Sequence, residues 1–250
     1  GTGHEPGIVA AESANNAIFS SNGEESGRVP DPEITNIGHQ QAALLGKHLA
    51  HPQGDSRQPS LLTPSGRQRG YGLTHLYCSL MIRSILTAEY IAAACKLPLR
   101  VHTDIFERGG LYELNADGSM VGVPGPGREY FSNRFPNLEL PESVAGTGWY
   151  DRPAETDEQF VVRTKVALRD IIARHAGTDD SVAAVVHGDF IDQAVNELLD
   201  LARRRENYET TWMGNWAAHN TSLTRIDLVE DSQVIVYTNR LDHLPVELVT

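Results

Sequence analysis

The sequence predicts an α/β protein of three layers, with helices on both faces of a mostly parallel central sheet and an inserted cap region. Two observations carry this. Short apolar runs pass directly into helical periodicity at 75–96 and again at 181–201, the grammar of strands joined by crossover helices. The chain has 250 residues and is 40% hydrophobic, which suits one large domain over 1–250.

Taken in order, Thr35 or Asn36 is placed to cap a helix over 36–51, where Ala42, Leu45 and Leu49 form an apolar stripe. Residues 51–74 are rich in Pro, Gly, Ser, Gln and Arg, carry no period, and are expected to form a polar loop insertion. The run 75–79 suits a buried strand, and 81–96 carries Ile82, Ile85, Ala88, Ile91 and Ala92 at helical spacing. A further strand is expected over 101–106. Residues 109–155, with many Gly and Pro, Trp149 and Tyr150 and no clear period, are expected to form a cap over the sheet edge. Thr156 with Gln159 three residues on has capping-box spacing and opens an amphipathic helix to His175. The run 181–187 is an uninterrupted apolar strand followed at Gly188 by a helix to about Leu201. Two strands, 223–229 and 233–238, close the chain, and no internal repeat is present.

A formal net charge of −12 argues against a general nucleic-acid or anionic-membrane surface, so an anionic ligand needs a local basic pocket. Arg203-Arg204-Arg205 is read as the cationic end of the preceding helix. No run is long and apolar enough to cross a bilayer, and residues 1–7 lack the basic and apolar regions of a signal peptide. Cys78 and Cys95 have no partner at metal-ligand spacing and read as reduced core thiols, so a cytoplasmic protein is expected. The histidines do not cluster at ligand spacing and no Gly-rich nucleotide loop follows a strand, so neither a metal nor an organic cofactor is expected.

Three residues stand where chemistry belongs in such a sheet, beyond the carboxyl ends of the strands. His187 ends a strand as a helix begins, an anion-binding address. Arg83 falls in the first turn of the helix after Ser79, where a guanidinium can grip two oxygens in a fixed fork. Glu107 follows the expected strand over 101–106 and is a candidate proton donor if the pocket desolvates it.

These residues occur in order with other fragments. Glu12-Ser13-Ala14-Asn15-Asn16 is similar to the tail of an Arg-His-Gly/Ala-Glu-Ser signature, and Ile34 through Ala42 to a Leu-Thr-x-x-Gly-x-x-Gln-Ala segment. Ser79 through Glu89 is similar to Ser-x-x-x-Arg-x-x-x-Thr-Ala-Glu, and Glu107-Arg108-Gly109, His187-Gly188 and Asn239 through His243 to later landmarks of the same family. The chain thus resembles the histidine phosphatase superfamily (phosphoglycerate mutase-like) over nearly its whole length. The resemblance implies a two-step phosphoryl transfer through an N-terminal histidine, with two arginines and a second histidine holding the phosphoryl oxygens. It implies Arg83 as phosphate clamp, His187 as the second pocket histidine, Glu107 as acid/base, and Ser13 and Asn16 as anion contacts.

The departure is at the start of the chain. Aligning Glu12-Ser13 without a gap puts Val9 at the arginine and Ala10 at the nucleophile, a one-residue deletion puts Ala10 and Ala11 there instead, and under either alignment a methyl group cannot attack phosphorus. His4 lies six residues too early, and Pro6 and Gly7 degrade the strand expected before the motif. Three readings therefore stay open. One is a degenerate phosphatase that binds an anionic or phosphorylated small molecule. Another is a repurposed lyase, isomerase or cyclase using the same pocket. The last is a phosphomonoesterase whose nucleophile is unusual or was altered. Neither the ligand's identity nor the oligomeric state is set by the sequence.

Overall fold

The computed structural model describes residues 7–12, 29–51, 71–199, 216–229 and 232–250. The element order is β1 (Gly7–Glu12), α1 (Asn36–Ala50), β2 (His75–Cys78), α2 (Ile82–Cys95), β3 (Leu99–Val101), β4 (Tyr112–Leu114), β5 (Met120–Gly122), α3 (Arg128–Arg134), β6 (Leu138–Glu139), α4 (Asp157–His175), β7 (Ser181–Val186), α5 (Gly188–Leu198), β8 (Leu223–Val229) and β9 (Ser232–Arg240). Seven strands form one sheet in the order β6-β3-β2-β7-β1-β8-β9. The pairs from β6 to β1 are parallel, and β8 and β9 close the far side antiparallel.

Side-chain alternation along the central strands divides the core in two. Val9 and Ala11 of β1, Leu76 and Cys78 of β2, and Ala183 and Val185 of β7 face a cluster that includes Leu45 and Leu49 of α1 and Ile85, Ala88 and Ile91 of α2. Ile8, Ala10, Tyr77, Val182, Ala184 and Val186 face the other cluster, with Ala167, Leu168 and Ile171 of α4 and Phe190 and Ile191 of α5. These are the three layers the sequence predicts. Both faces of β7 are apolar because both are covered, which is why its sequence shows no alternation.

Helix ends follow local chemistry. Thr35 caps α1 by accepting from the Gly38 amide at 3.2 Å. Thr156 and Gln159 form the reciprocal capping box of α4. Lys96 ends α2 in the left-handed region at φ 58°. Helix α2 starts at Met81, which has no side chain able to cap, and Asp31 supplies the acceptor from elsewhere in the chain, taking the Ile82 amide at 3.0 Å.

The structure corrects several boundaries. The strand expected over 101–106 is instead β3 over Leu99–Val101, and Ile105 and Phe106 are buried in an irregular segment. Their apolar character comes from burial without strand pairing, which sequence periodicity cannot separate from a strand. Residues 109–155 are not wholly a cap. They contain the β4–β5 hairpin and α3, and Leu138 and Glu139 add to the main sheet beside β3. A strand of two residues is too short to leave a period. Strand β1 is a full central strand, because Pro6 falls before it and Gly7 opens it. Of the expected polar loop, residues 52–70 lie outside the described residues.

Candidate functional site

The carboxyl ends of β2 and β7 lie side by side, Cys78 pairing with Val185, and each passes directly into a helix. Two helix N-termini therefore open at one sheet edge, α2 after Ser79–Met81 and α5 after His187.

His187 is the N-cap residue of α5 and is fully buried, at 0% exposure. Its Nε2 lies 2.8 Å from Ser79 Oγ. That hydroxyl also accepts from the Met81 amide at 3.3 Å, which ties His187 to the N-terminus of α2. Burial, and then the charges of Arg83 and Arg163, push His187 well below its usual range, so the ring is neutral. Ser79 is fixed in turn by Ser84, whose Oγ donates to the Val185 carbonyl at 2.8 Å and accepts from the Ser79 amide at 3.1 Å. In the sequence Ser79 marks a strand end and opens the Ser-x-x-x-Arg segment, without being singled out as a partner of His187. The signal for its role was its position one residue past the strand, level with the other strand end.

Arg83 is 6% exposed in the first turn of α2. Asp31 Oδ1 lies 4.0 Å from its Nη1, and its buried Nε has no hydrogen-bond partner among the described residues. Asp31 itself is pushed up to about 6, chiefly by burial, and its Oδ2 is likewise without a partner among those residues. Buried polar atoms without partners are rare and costly, and both of these lie at the N-terminus of α2.

Glu107 is half-buried, and its Oε1 accepts from the Arg108 amide at 2.8 Å. Burial and the neighbouring Asp189 carboxylate push it up to about 7, against the opposing charges of Arg83 and Arg163. Both Glu107 and His187 thus feel Arg83, which brings the three residues singled out from the sequence into one electrostatic neighbourhood.

A second group, missed by the sequence, holds this one in place. Arg163 of α4 and Glu155 form a bidentate ion pair with contacts of 2.6 and 2.7 Å. The same guanidinium donates to the carbonyls of Asp104 and Phe106 at 2.8 and 3.0 Å and covers the Phe106 ring at 3.5 Å from its centroid. The irregular segment leading to Glu107 is therefore clamped from α4. Arg108, next to it, reaches Asp189 of α5 at 2.8 Å and Asp157 of α4 at 2.9 Å. Gly110, at φ 71°, admits the Tyr150 ring where any Cβ would overlap it, and the Tyr150 hydroxyl donates to the Gly109 carbonyl at 3.1 Å.

Ala10 does not stand beside His187. It pairs with Ala184, three residues before His187 on β7, and its methyl faces the core under α4 and α5. At about 3.3 Å per residue that is roughly 10 Å short of the pocket level. The last described rung joins Glu12 to Val186. The reason for the displacement is that Ala10, Ala11 and Glu12 continue the strand, where the gapless motif alignment would have ended it. Ser13 and Asn16 lie outside the described residues. Asn239 and His243 of the last landmark engage His219 and Thr221 respectively, at 2.9 and 3.3 Å.

The histidines carry no ligand spacing in the sequence, but the fold brings two of them together with an aspartate. His75, His175 and Asp180, far apart or differently spaced in sequence, place ligand atoms within 4.8 Å of one another at the opposite sheet edge. Both cysteines are free, and burial pushes the Cys78 thiol up. Among the described residues no helix is long and apolar enough to cross a membrane.

Comparison with known proteins follows the same lines. Glucosyl-3-phosphoglycerate phosphatase from a mycobacterium, solved with vanadate, matches at 16% identity and TM-score 0.54 over 94% of this chain and 99% of its own. The ecdysone phosphate phosphatase of Bombix mori, solved with tungstate, matches at 15% identity and TM-score 0.62 over 96% of this chain and 95% of its own. A mutant phosphoserine phosphatase from Entamoeba histolytica, in complex with phosphoserine, matches at 16% identity and TM-score 0.56 over 96% of this chain and 100% of its own. At these identities the likeness is one of fold. No curated protein matches the sequence significantly. The family model for the histidine phosphatase superfamily (branch 1) matches residues 19–240, beginning after β1. With that match spanning most of its length and the sheet order, strand ends and helix N-termini of this architecture around His187, the chain belongs to the histidine phosphatase superfamily.

Proposed function

We propose that this chain binds a phosphorylated or other anionic small molecule at the carboxyl ends of β2 and β7 and does not turn it over through a phosphohistidine. The observation that carries the reading is Arg83, a buried guanidinium whose Nε has no hydrogen-bond partner among the described residues, set at the N-terminus of α2 beside neutral His187. An anion would satisfy it. Loss of the nucleophile is supported by a fact independent of any alignment: no histidine occurs between His4 and His39. His39 is itself taken by the Tyr90 hydroxyl at 3.0 Å. A parallel for binding with a histidine absent is the phosphoserine phosphatase neighbour, a histidine-to-alanine mutant in complex with phosphoserine. Vanadate and tungstate in two other relatives support an oxyanion as the ligand class.

The test is titration calorimetry with inorganic phosphate and vanadate, run beside a p-nitrophenyl phosphate assay. Saturable binding without appreciable hydrolysis is expected, and Arg83→Ala should weaken it about 10- to 100-fold by removing a charge-assisted contact. Hydrolysis at rates ordinary for a phosphatase, or equal affinity in the variant, would sink the proposal.

A second reading is favoured by Glu107, whose carboxyl, held near 7, suits acid–base chemistry that never forms a covalent phosphoenzyme. For any substrate found to turn over, Glu107→Gln should slow the reaction, and an unchanged rate would count against this role.

A further inference from the structure

The strands that carry the anion pocket at their carboxyl ends carry a different constellation at their amino ends. His75 opens β2, Asp180 immediately precedes β7, and His175 ends α4. None is adjacent to another in sequence, yet His75 Nδ1 lies 3.4 Å from Asp180 Oδ1 and His175 Nδ1 lies 2.8 Å from Asp180 Oδ2. The three ligand atoms fall within 4.8 Å of one another. Bonds of about 2.0–2.1 Å to a tetrahedral ion require donor separations of about 3.4 Å, which the His75–Asp180 spacing already meets, and the other separations need change by no more than about 1.4 Å.

The geometry points to a divalent transition-metal site formed by His75, His175 and Asp180, of the two-imidazole, one-carboxylate type that suits zinc. Two further features support it. His175 Nε2 is 3.1 Å from the Tyr77 hydroxyl, a partner that orients the ring and leaves Nδ1 as the ligand atom. The cluster borders a cavity of 540 Å³ that also meets Tyr77, Arg100, Glu139 and Arg174, with room for water to complete the coordination.

Two arginines line that cavity, and their charges oppose a cation. Both are already neutralised, Arg100 by Glu139 at 2.9 Å and Arg174 by Asp170 at 2.7 Å. Thr74, the remaining neighbour, donates to Asp180 Oδ1 at 3.2 Å and lies 2.9 Å from His75 Nδ1, a contact the ion would replace. A bound ion would pin the end of α4 to the starts of β2 and β7. Seven residue steps along β7 from Asp180, roughly 23 Å, separate it from His187, so it takes no part in the anion pocket and stands or falls independently.

The chelator-treated full chain is titrated with Co²⁺ and then Zn²⁺. One ion per chain is expected, with the intense visible ligand-field absorption of low-coordinate cobalt, lost as Zn²⁺ displaces it, while Mg²⁺, which prefers oxygen ligands, fails to compete. His75→Ala, at a partly exposed position, and Asp180→Asn, which keeps the shape of the side chain, should each weaken Zn²⁺ binding by more than about tenfold. Tyr77→Phe should weaken it less. Circular dichroism reports whether each variant folds. Absence of a cobalt band, or undiminished affinity in folded His75→Ala and Asp180→Asn, overturns the site.

Discussion

Glu107 sits between Asp189, which discourages its ionisation, and Arg83 and Arg163, which favour it, and burial decides the balance toward the protonated acid. The consequence for stability has a definite sign. Its folded value of about 7 lies above the ordinary 4.5, so the folded state holds the proton more tightly than the unfolded chain. The stabilisation is complete below about pH 4.5 and is lost as pH rises through about 7. Asp31, raised to about 6, contributes with the same sign over a lower window. Glu107→Gln should therefore flatten the fall in stability between pH 5 and pH 8 by on the order of 1–2 kcal/mol while leaving the Asp31 part. Urea melts across that range check it, and an unaltered slope would show that Glu107 ionises normally. At this scale the sequence named Arg83, Glu107 and His187 from their places in the pattern. It did not name Ser79 or Asp31 as partners, because the contacts that recruit them span 108 and 51 residues.

Among the elements, α4 does more than cover the sheet. Its first turn contributes Asp157 to Arg108, and its second contributes Arg163 to Glu155 and to the carbonyls ahead of Glu107. The Arg163–Glu155 pair is more than nine-tenths buried, and removing one partner leaves the other charge stranded. Arg163→Met is expected to cost about 3–5 kcal/mol in chemical denaturation, and the double change Arg163→Met with Glu155→Leu should recover a large part of that loss. Additive losses in the double variant would mean that the two side chains do not act as a pair. The helix was readable from Thr156, Gln159 and its apolar stripe, since those signals are local. The clamp was not, because an arginine on a helix face looks the same in sequence whether it meets water or a buried carboxylate.

Across the whole molecule, strand register decides where the catalytic motif would have to be. Strand β1 is held on both sides, by β7 and β8, and Ala10 is locked opposite Ala184 and Thr224. A histidine restored at position 10 would stand roughly three rungs behind His187, against the core under α4 and α5. Ala10→His should produce no gain in p-nitrophenyl phosphate hydrolysis and should cost about 1–3 kcal/mol through overpacking. Turnover appearing in that variant would contradict the register and with it the present reading of the site.

By itself the sequence determined the layered α/β architecture, the family, and the three residues at the strand ends, because each rests on short-range patterns of apolar spacing, capping chemistry and motif order. Tertiary structure alone decided which residue of β1 approaches His187, and the burial that sets the protonation of Glu107 and His187. It alone also gathered His75, His175 and Asp180 at the other edge of the sheet. Those outcomes depend on the register of parallel strands joined by long crossovers, and a shift of one rung, about 3.3 Å, leaves the amino-acid pattern unchanged while altering every neighbour across the ladder.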